Sequence, residues 1–327
     1  MITPVSTVGS PGSPATVPSD ARTTIEHVFA TGVSPIEETA AVIALMRRPE
    51  LTRSQMTELL ETAGSPLEAL ASLGRDDERL FEVDESSVAT DLDAIVTELH
   101  AWRREGIAVL TALEDAYPAN LLTVHDRPPA LFVRGKLEAD DHRSVAVVGT
   151  RSATDRGVQL TRELAHGLVE AGYVVVSGLA AGIDTAAHTA ALEAGGRTVA
   201  VLGTGLRQTF PKENADLQDR LGEESAVVSH LWPDQGPRRR TFPERNAVMS
   251  GFAQATIVVE ASQTSGARMQ ARLALEHGRP VFLLRSLLAH PWAQAHASRP
   301  GVHVIDTLDE VIPVLDRMYS SELSLVE

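Results

Sequence analysis

The sequence has no cysteine. Disulfides, thiolate metal sites and cysteine nucleophiles are therefore excluded, and a reducing, cytoplasmic setting fits. Lysine is nearly missing too. Only Lys136 and Lys212 occur, so almost every cation is an arginine. Arginine offers phosphate a planar fork of donors where lysine offers a point charge, although a genomic bias toward Arg and Ala would give the same count. No apolar run approaches the ~18 residues of a membrane span. The N-terminus has no basic segment followed by an apolar one, so it does not read as a secretory signal. No G-x-G-x-x-G fingerprint follows the first strong strand. No Ser-His-Asp triad and no His/Asp/Glu cluster with metal spacing can be assembled, and no cofactor is implied. An excess of basic charge is also lacking. The net charge of −15 argues against a non-specific nucleic-acid coat.

The charge is unevenly distributed. Residues 1–142 carry 11 basic against 24 acidic residues, and residues 286–327 carry 2 against 6. Residues 143–285 carry 16 against 14, so phosphate binding is not opposed there. With 327 residues, more than one domain is expected. Residues 1–22, rich in Pro, Ser, Thr and Gly, read as a disordered tail. Residues 23–105 read as a helical module and linker, with the acidic linker at 74–87. Helix starts fall at Ser34-Pro35 and Thr52-Arg53-Ser54-Gln55, and Gly64 is a stop. Residues 106–320 form the main domain and 321–327 a tail.

That domain is α/β: a mostly parallel sheet with helices on both faces. Short β-branched runs near 144–148, 173–177, 197–202, 225–229, 255–260 and 280–284 alternate with helical patterns. Further strands are expected at 106–110 and 302–305, an edge strand within 127–135, and a closing helix over 308–318. In such sheets, ligands gather outside the carboxyl ends of the strands. Those ends carry Gly149-Thr150-Arg151, Ser177-Gly178, Gly203-Thr204-Gly205 and Ser265-Gly266. The first and last precede helices, whose N-termini offer N–H groups to an anion.

Two further stretches stand out. Asp184 and His188 lie four residues apart, on one helix face. The pair could do acid-base work, or Asp184 could cap the helix while His188 holds the loop. Arg238-Arg239-Arg240 with Arg245-Asn246, interleaved with Phe242, is the strongest cationic run. It suits a nucleic-acid backbone with occasional base stacking, or a solvated loop.

Taken in order, these segments resemble the DprA/Smf family over about residues 106 to 284. The motifs are Tyr117-Pro118, Pro128-Pro129 through Gly135, Gly149-Thr150-Arg151, Ser177-Gly178-Leu179-Ala180 with Gly182-Ile183-Asp184 and His188, Gly203-Thr204-Gly205, Phe210-Pro211 with Glu213-Asn214, Phe242-Pro243 with Arg245-Asn246, Glu260-Ala261, and Ser265-Gly266. The resemblance implies an extended Rossmann-like domain that binds single-stranded DNA, protects strands in natural transformation, helps load the recombinase RecA and dimerises. It implies a binding protein, not an enzyme. By carry-over, Arg151, Arg245 and Asn246 face the strand. Gly149, Thr150, Ser177, Gly178, Gly203, Gly205, Arg240, Ser265 and Gly266 complete the DNA-binding or phosphate-binding set. Ala247 stands where members often carry a second Arg, and the N-terminal module lacks a helix-hairpin-helix Gly-x-Gly. Two rivals share the superfamily. One is a LOG-type nucleotide phosphoribohydrolase, whose catalytic-loop Glu has no counterpart in residues 260–267. The other is a domain sensing a small nucleotide.

Overall fold

The computed structural model describes residues 35–77 and 85–323. The expected tail at 1–22, the cap residue Ser34 and the middle of the expected linker lie outside the described residues.

Four helices come first: α1 (Pro35–Met46), α2 (Arg53–Thr62), α3 (Pro66–Asp77) and α4 (Glu85–Arg104). The start of α2 is a capping box. The Thr52 hydroxyl accepts from the Gln55 N–H, and the Gln55 side chain accepts from the Thr52 N–H. Two N–H groups that a helix start leaves unmet are thereby satisfied.

The strands are β1 (Ile107–Thr111), β2 (Ala130–Gly135), β3 (Ser144–Val148), β4 (Val174–Ser177), β5 (Thr198–Val201), β6 (Ala226–Ser229), β7 (Ala255–Val258), β8 (Val281–Leu284) and β9 (Val302–Ile305). They form one sheet in the order β1-β2-β6-β5-β4-β3-β7-β8-β9. From β6 through β9 neighbouring strands are parallel, while β2 is antiparallel to both β1 and β6. Residues 130–135 are therefore not the edge strand expected. β2 pairs with β1 on one side and with β6 on the other, and Ala130 to Val133 are buried. The more exposed β1 takes the edge.

Between and after the strands lie α5 (Ala119–Leu122), α6 (Asp155–Glu170), α7 (Ile183–Glu193), α8 (Ala215–Glu224), α9 (Thr241–Phe252), α10 (Gly266–Glu276), α11 (Pro291–Ala297) and α12 (Ile312–Leu323). The closing helix starts later than 308 because Leu308–Glu310 form a separate 3₁₀ turn.

Strands β3 to β8 are buried at every position, as expected where helices cover both faces of a parallel sheet. Alternation divides their side chains. Ala146 and Val148 join the core under α9 and α10, with Val248, Met249, Phe252 and Ala271. Val145 and Val147 join the core under α6 and α7, with Leu164, Leu168, Ile183 and Ala187. The N-terminal helices close the β1–β6 end. Ile43, Ile95 and Trp102 share a core with Phe132, Ala200 and Leu202, and the Trp102 and Phe132 rings meet edge-on at 5.3 Å.

The order of strands sets the site. From β3 the chain winds outward through β4, β5 and β6. It then returns to pair β7 on the other side of β3. The loops after β3 and β7 thus part at a topological switch point, where open α/β sheets bind ligands.

Candidate functional site

A cavity of about 320 Å³ opens at that switch point. Val148 to Arg151 form its floor, Arg245, Asn246 and Met249 of α9 one wall, and Ser262, residues 264–267 and Gln270 the other. A smaller cavity of about 80 Å³ adjoins it, sharing Arg151, Ala180, Phe242 and Arg245.

Arg245 is buried, only 6% exposed. Its Nη1 donates to the Val201 carbonyl at 3.1 Å, while its buried Nε–H has no partner among the described residues. The guanidinium occupies the space beside Gly178 that any side chain there would fill. Asp184 supplies the nearest opposite charge. Its carboxylate accepts from the Gly178 and Ala180 N–H groups at 3.2 and 3.4 Å. Burial raises the pKa of Asp184, opposed by Arg245 and these N–H donors.

His188 is fully buried. Its Nδ1 meets the Thr198 hydroxyl at 2.7 Å, and burial pushes its pKa down to about 3. Asp184 thus ties the turn after β4 while lining the cavity, and His188 ties helix to strand away from it.

Arg151 is exposed at the mouth. Its guanidinium lies 5.1 Å from the Phe242 ring centroid and 5.9 Å from that of Phe210. Such contacts hold a cation without neutralising it. The two rings pack at 5.6 Å, and Phe210 is 39% exposed. On the opposite wall, Ser265 caps α10, its hydroxyl accepting from the Ala267 N–H. Asn246 Nδ2 donates to the Gly266 carbonyl at 3.3 Å. With its amide nitrogen toward the Asn246 carbonyl, Gln270 donates at 3.0 Å and accepts from the Ser250 N–H at 3.3 Å.

The N-terminus of α6 is already filled by the chain itself. The Glu260 carboxylate accepts from the Thr154 N–H at 3.0 Å and from the Thr154 hydroxyl at 3.2 Å, and it sits against Gly157. Of the two helix starts expected to offer an anion site, α10 is the one that faces the cavity unfilled by a carboxylate of its own first turn.

The cavity walls therefore gather Gly149, Thr150, Arg151, Arg245, Asn246, Ser265 and Gly266. Gly178 and Gly203 border the smaller cavity. The remaining three lie off both. The Ser177 hydroxyl is buried and donates to the Val147 carbonyl at 2.7 Å. Gly205 is small because the Trp232 and Pro233 carbonyls press on it. Arg240 is exposed in the turn leading into α9. Gln270, Met249 and Thr264 line the cavity without having been singled out in the sequence. For Gln270 the signal was spacing, since it stands four residues after Gly266 and so above it on one helix face.

Residues 108–311 match the family described as DNA recombination-mediator protein A. The chain belongs to this family. The match runs past 284, the end of the stretch carrying the sequence motifs, and takes in β9. DNA processing protein DprA of Streptococcus pneumoniae is 38% identical over 207 residues, 63% of this chain and 69% of that protein. Protein Smf of Escherichia coli is 40% identical over 187 residues, 57% and 50% of the two chains. The chain thus spans about two thirds of the first and half of the second. A putative DprA of Mycobacterium tuberculosis is 32% identical over 293 residues, 85% of this chain and 75% of its own length. The fold agrees with the crystal structure of S. pneumoniae DprA at a TM-score of 0.61 and 30% identity, covering 88% of this chain and 96% of that one. It also agrees with DNA processing protein A of Helicobacter pylori, solved in work on its single-stranded DNA binding mode. There the TM-score is 0.57 and the identity 26%, covering 64% and 96%. Membership of the DprA family confirms the resemblance drawn from the motifs. No described helix is long and apolar enough to cross a membrane.

Proposed function

We infer that the protein binds single-stranded DNA in the cavity at the β3–β7 switch point. The observation that carries this is Arg151, an exposed guanidinium held over Phe210 and Phe242 at the mouth. A cation beside partly exposed rings suits a strand whose phosphates and unstacked bases are both within reach. Arg245, with its unmet Nε–H, and the start of α10 supply further donors inside. The H. pylori relative, named for its single-stranded DNA binding mode, supports the same reading.

In this reading residues 106–320 bind DNA, and helices α1 and α4 of the 23–105 module buttress the β1–β6 end of the sheet. Arg151, Arg245 and Asn246 face the strand. The protein acts as a binding protein in the cytoplasm, as a homodimer that protects strands and passes them to the recombinase RecA during recombination or transformation. Glu260, the one carboxylate in residues 260–267, is held by Thr154 at the start of α6 and does not line the cavity, which supports a binding protein over a hydrolase.

Fluorescence anisotropy with labelled single-stranded DNA, its duplex and a panel of mononucleotides tests this. Tighter binding of the single strand, weakening with salt, is expected. Equal affinity for duplex, or a flat salt dependence, would overturn it. Saturation by a mononucleotide alone would transfer the site to a small phosphorylated ligand.

A further inference from the structure

We propose that a bound strand leaves the cavity across a second, cationic groove between α10 and α11. This rests on the DNA-binding reading and names a part of the interface outside the switch point. The groove encloses about 340 Å³ and is lined by Arg268, Arg272, Arg299 and His296, with Met269 between them. It is continuous with the cavity, because Thr264 and Ser265 line both.

The charges are arranged along a path. Arg268 and Arg272 are four residues apart, on one face of α10 and about 6 Å along its axis. Arg299 approaches from the segment after α11. All three arginines are exposed. Arg272 shares its charge with Glu276 at 2.6 Å. Among the described residues Arg268 reaches a backbone carbonyl, that of Gln263 at 3.4 Å, and no carboxylate. Arg299 makes no ion pair among the described residues. His296 uses Nδ1 on the Trp292 carbonyl at 2.9 Å, and its Nε2 is unpaired among the described residues.

Three arginines against one carboxylate make an unusual patch on a chain of net charge −15. Its position is costly as well. Arg268 stands in the first turn of α10, where the helix dipole disfavours a cation, and that turn holds no acidic residue. A polyanion crossing the helix start relieves both. Phosphates of one strand would meet the α10 N-terminus in the cavity, then Arg268, Arg272 and Arg299 in turn. The groove itself has no aromatic face comparable to Phe210 and Phe242, so it tracks the backbone and leaves the bases unread.

The test compares oligothymidylates of about six and about twenty nucleotides, spanning the usual site sizes of single-strand binders. The probes are read by anisotropy against the triple variant R268A/R272A/R299A and against R151A. The triple variant should hold the short probe as the parent does. It should lose the long probe by on the order of tenfold, with a log K against log salt slope shallower by about 2, as for three single-strand phosphates. R151A should lose both probes. Wild-type affinity and salt slope of the triple variant for the long probe would overturn the groove and leave the cavity reading intact. So would an equal loss on both lengths. Failure of the parent to bind either probe would instead overturn the DNA-binding reading. The single charge reversal R299E, away from any helix, serves as a second variant and should reproduce the length-selective loss in part.

Discussion

The guanidinium of Arg245 fills the space that a side chain at Gly178 would occupy. The glycine after β4 is thus small because of an arginine on α9, and the two positions should behave as one. In Gly178→Ala the Cβ would displace Arg245 from the Val201 carbonyl and from beside Asp184, leaving the latter's buried charge less compensated. A loss of about 1–3 kcal/mol in both stability and DNA affinity is expected. In a double-mutant cycle with Arg245→Ala the two losses should fall well short of adding. Full additivity in the binding titration would show that the two act separately.

Arg151 should matter for binding and little for folding. Arg151→Ala is expected to cost about 1–3 kcal/mol of single-stranded DNA affinity, the range for hydrogen bonds to charged groups. Its melting temperature should stay close to that of the parent, because the side chain is exposed and its contacts are ring faces. Lys should rescue only in part, keeping the charge and losing the fork. A large drop in melting temperature with intact affinity would make Arg151 a structural residue.

Glu260 is predicted to support the fold without catalysing anything. Glu260→Gln keeps an acceptor for the Thr154 N–H and removes the negative charge at the α6 N-terminus. Thermal unfolding should show a loss of about 0.3–1 kcal/mol, the usual worth of such a charge. The parent protein should release no free base from a nucleoside monophosphate. Steady release that disappears in Glu260→Gln would promote a hydrolase.

Acid should destabilise the protein through two buried histidines. Burial holds His188 at about 3 and His230 at about 4, below the ordinary 6.5. Between those values and 6.5 the unfolded chain binds the protons that the folded chain refuses. Stability is therefore fully present above about pH 6.5 and is lost as pH falls toward 4, by up to about 1.4 kcal/mol per pH unit for each histidine. Melting curves should shift down across this window, and His230→Gln should make the shift shallower. A melting temperature flat across the window would mean that both imidazoles titrate as they do in water.

Strands β3 to β8 are legible in the sequence because each is a short β-branched run bounded by turn residues. The carboxyl-edge loops are legible because the strand ends carry glycine. What each glycine is small for is not legible. Gly149 makes room for Ile183, Gly203 for the Phe242 ring, and Gly205 for the Trp232 and Pro233 carbonyls. These neighbours come from distant segments, and nothing in a local window announces them. Glu260 is the same case, since its partner Thr154 lies 106 residues earlier. The place of β2 inside the sheet was hidden for a different reason. Its pairing with β6 depends on the crossover order, and a run of apolar residues is equally at home one strand from the edge or on it.

The cross-tie between the Thr150 N–H and the Glu260 carbonyl, at 2.6 Å, fastens the loop after β3 to the loop after β7. The floor of the cavity is translated early and its far wall late, with β4, β5 and β6 made in between. A nascent chain therefore has no complete cavity until α10 has left the ribosome. Fragments halted before that helix would carry Arg151 and Arg245 yet lack the surface opposite them.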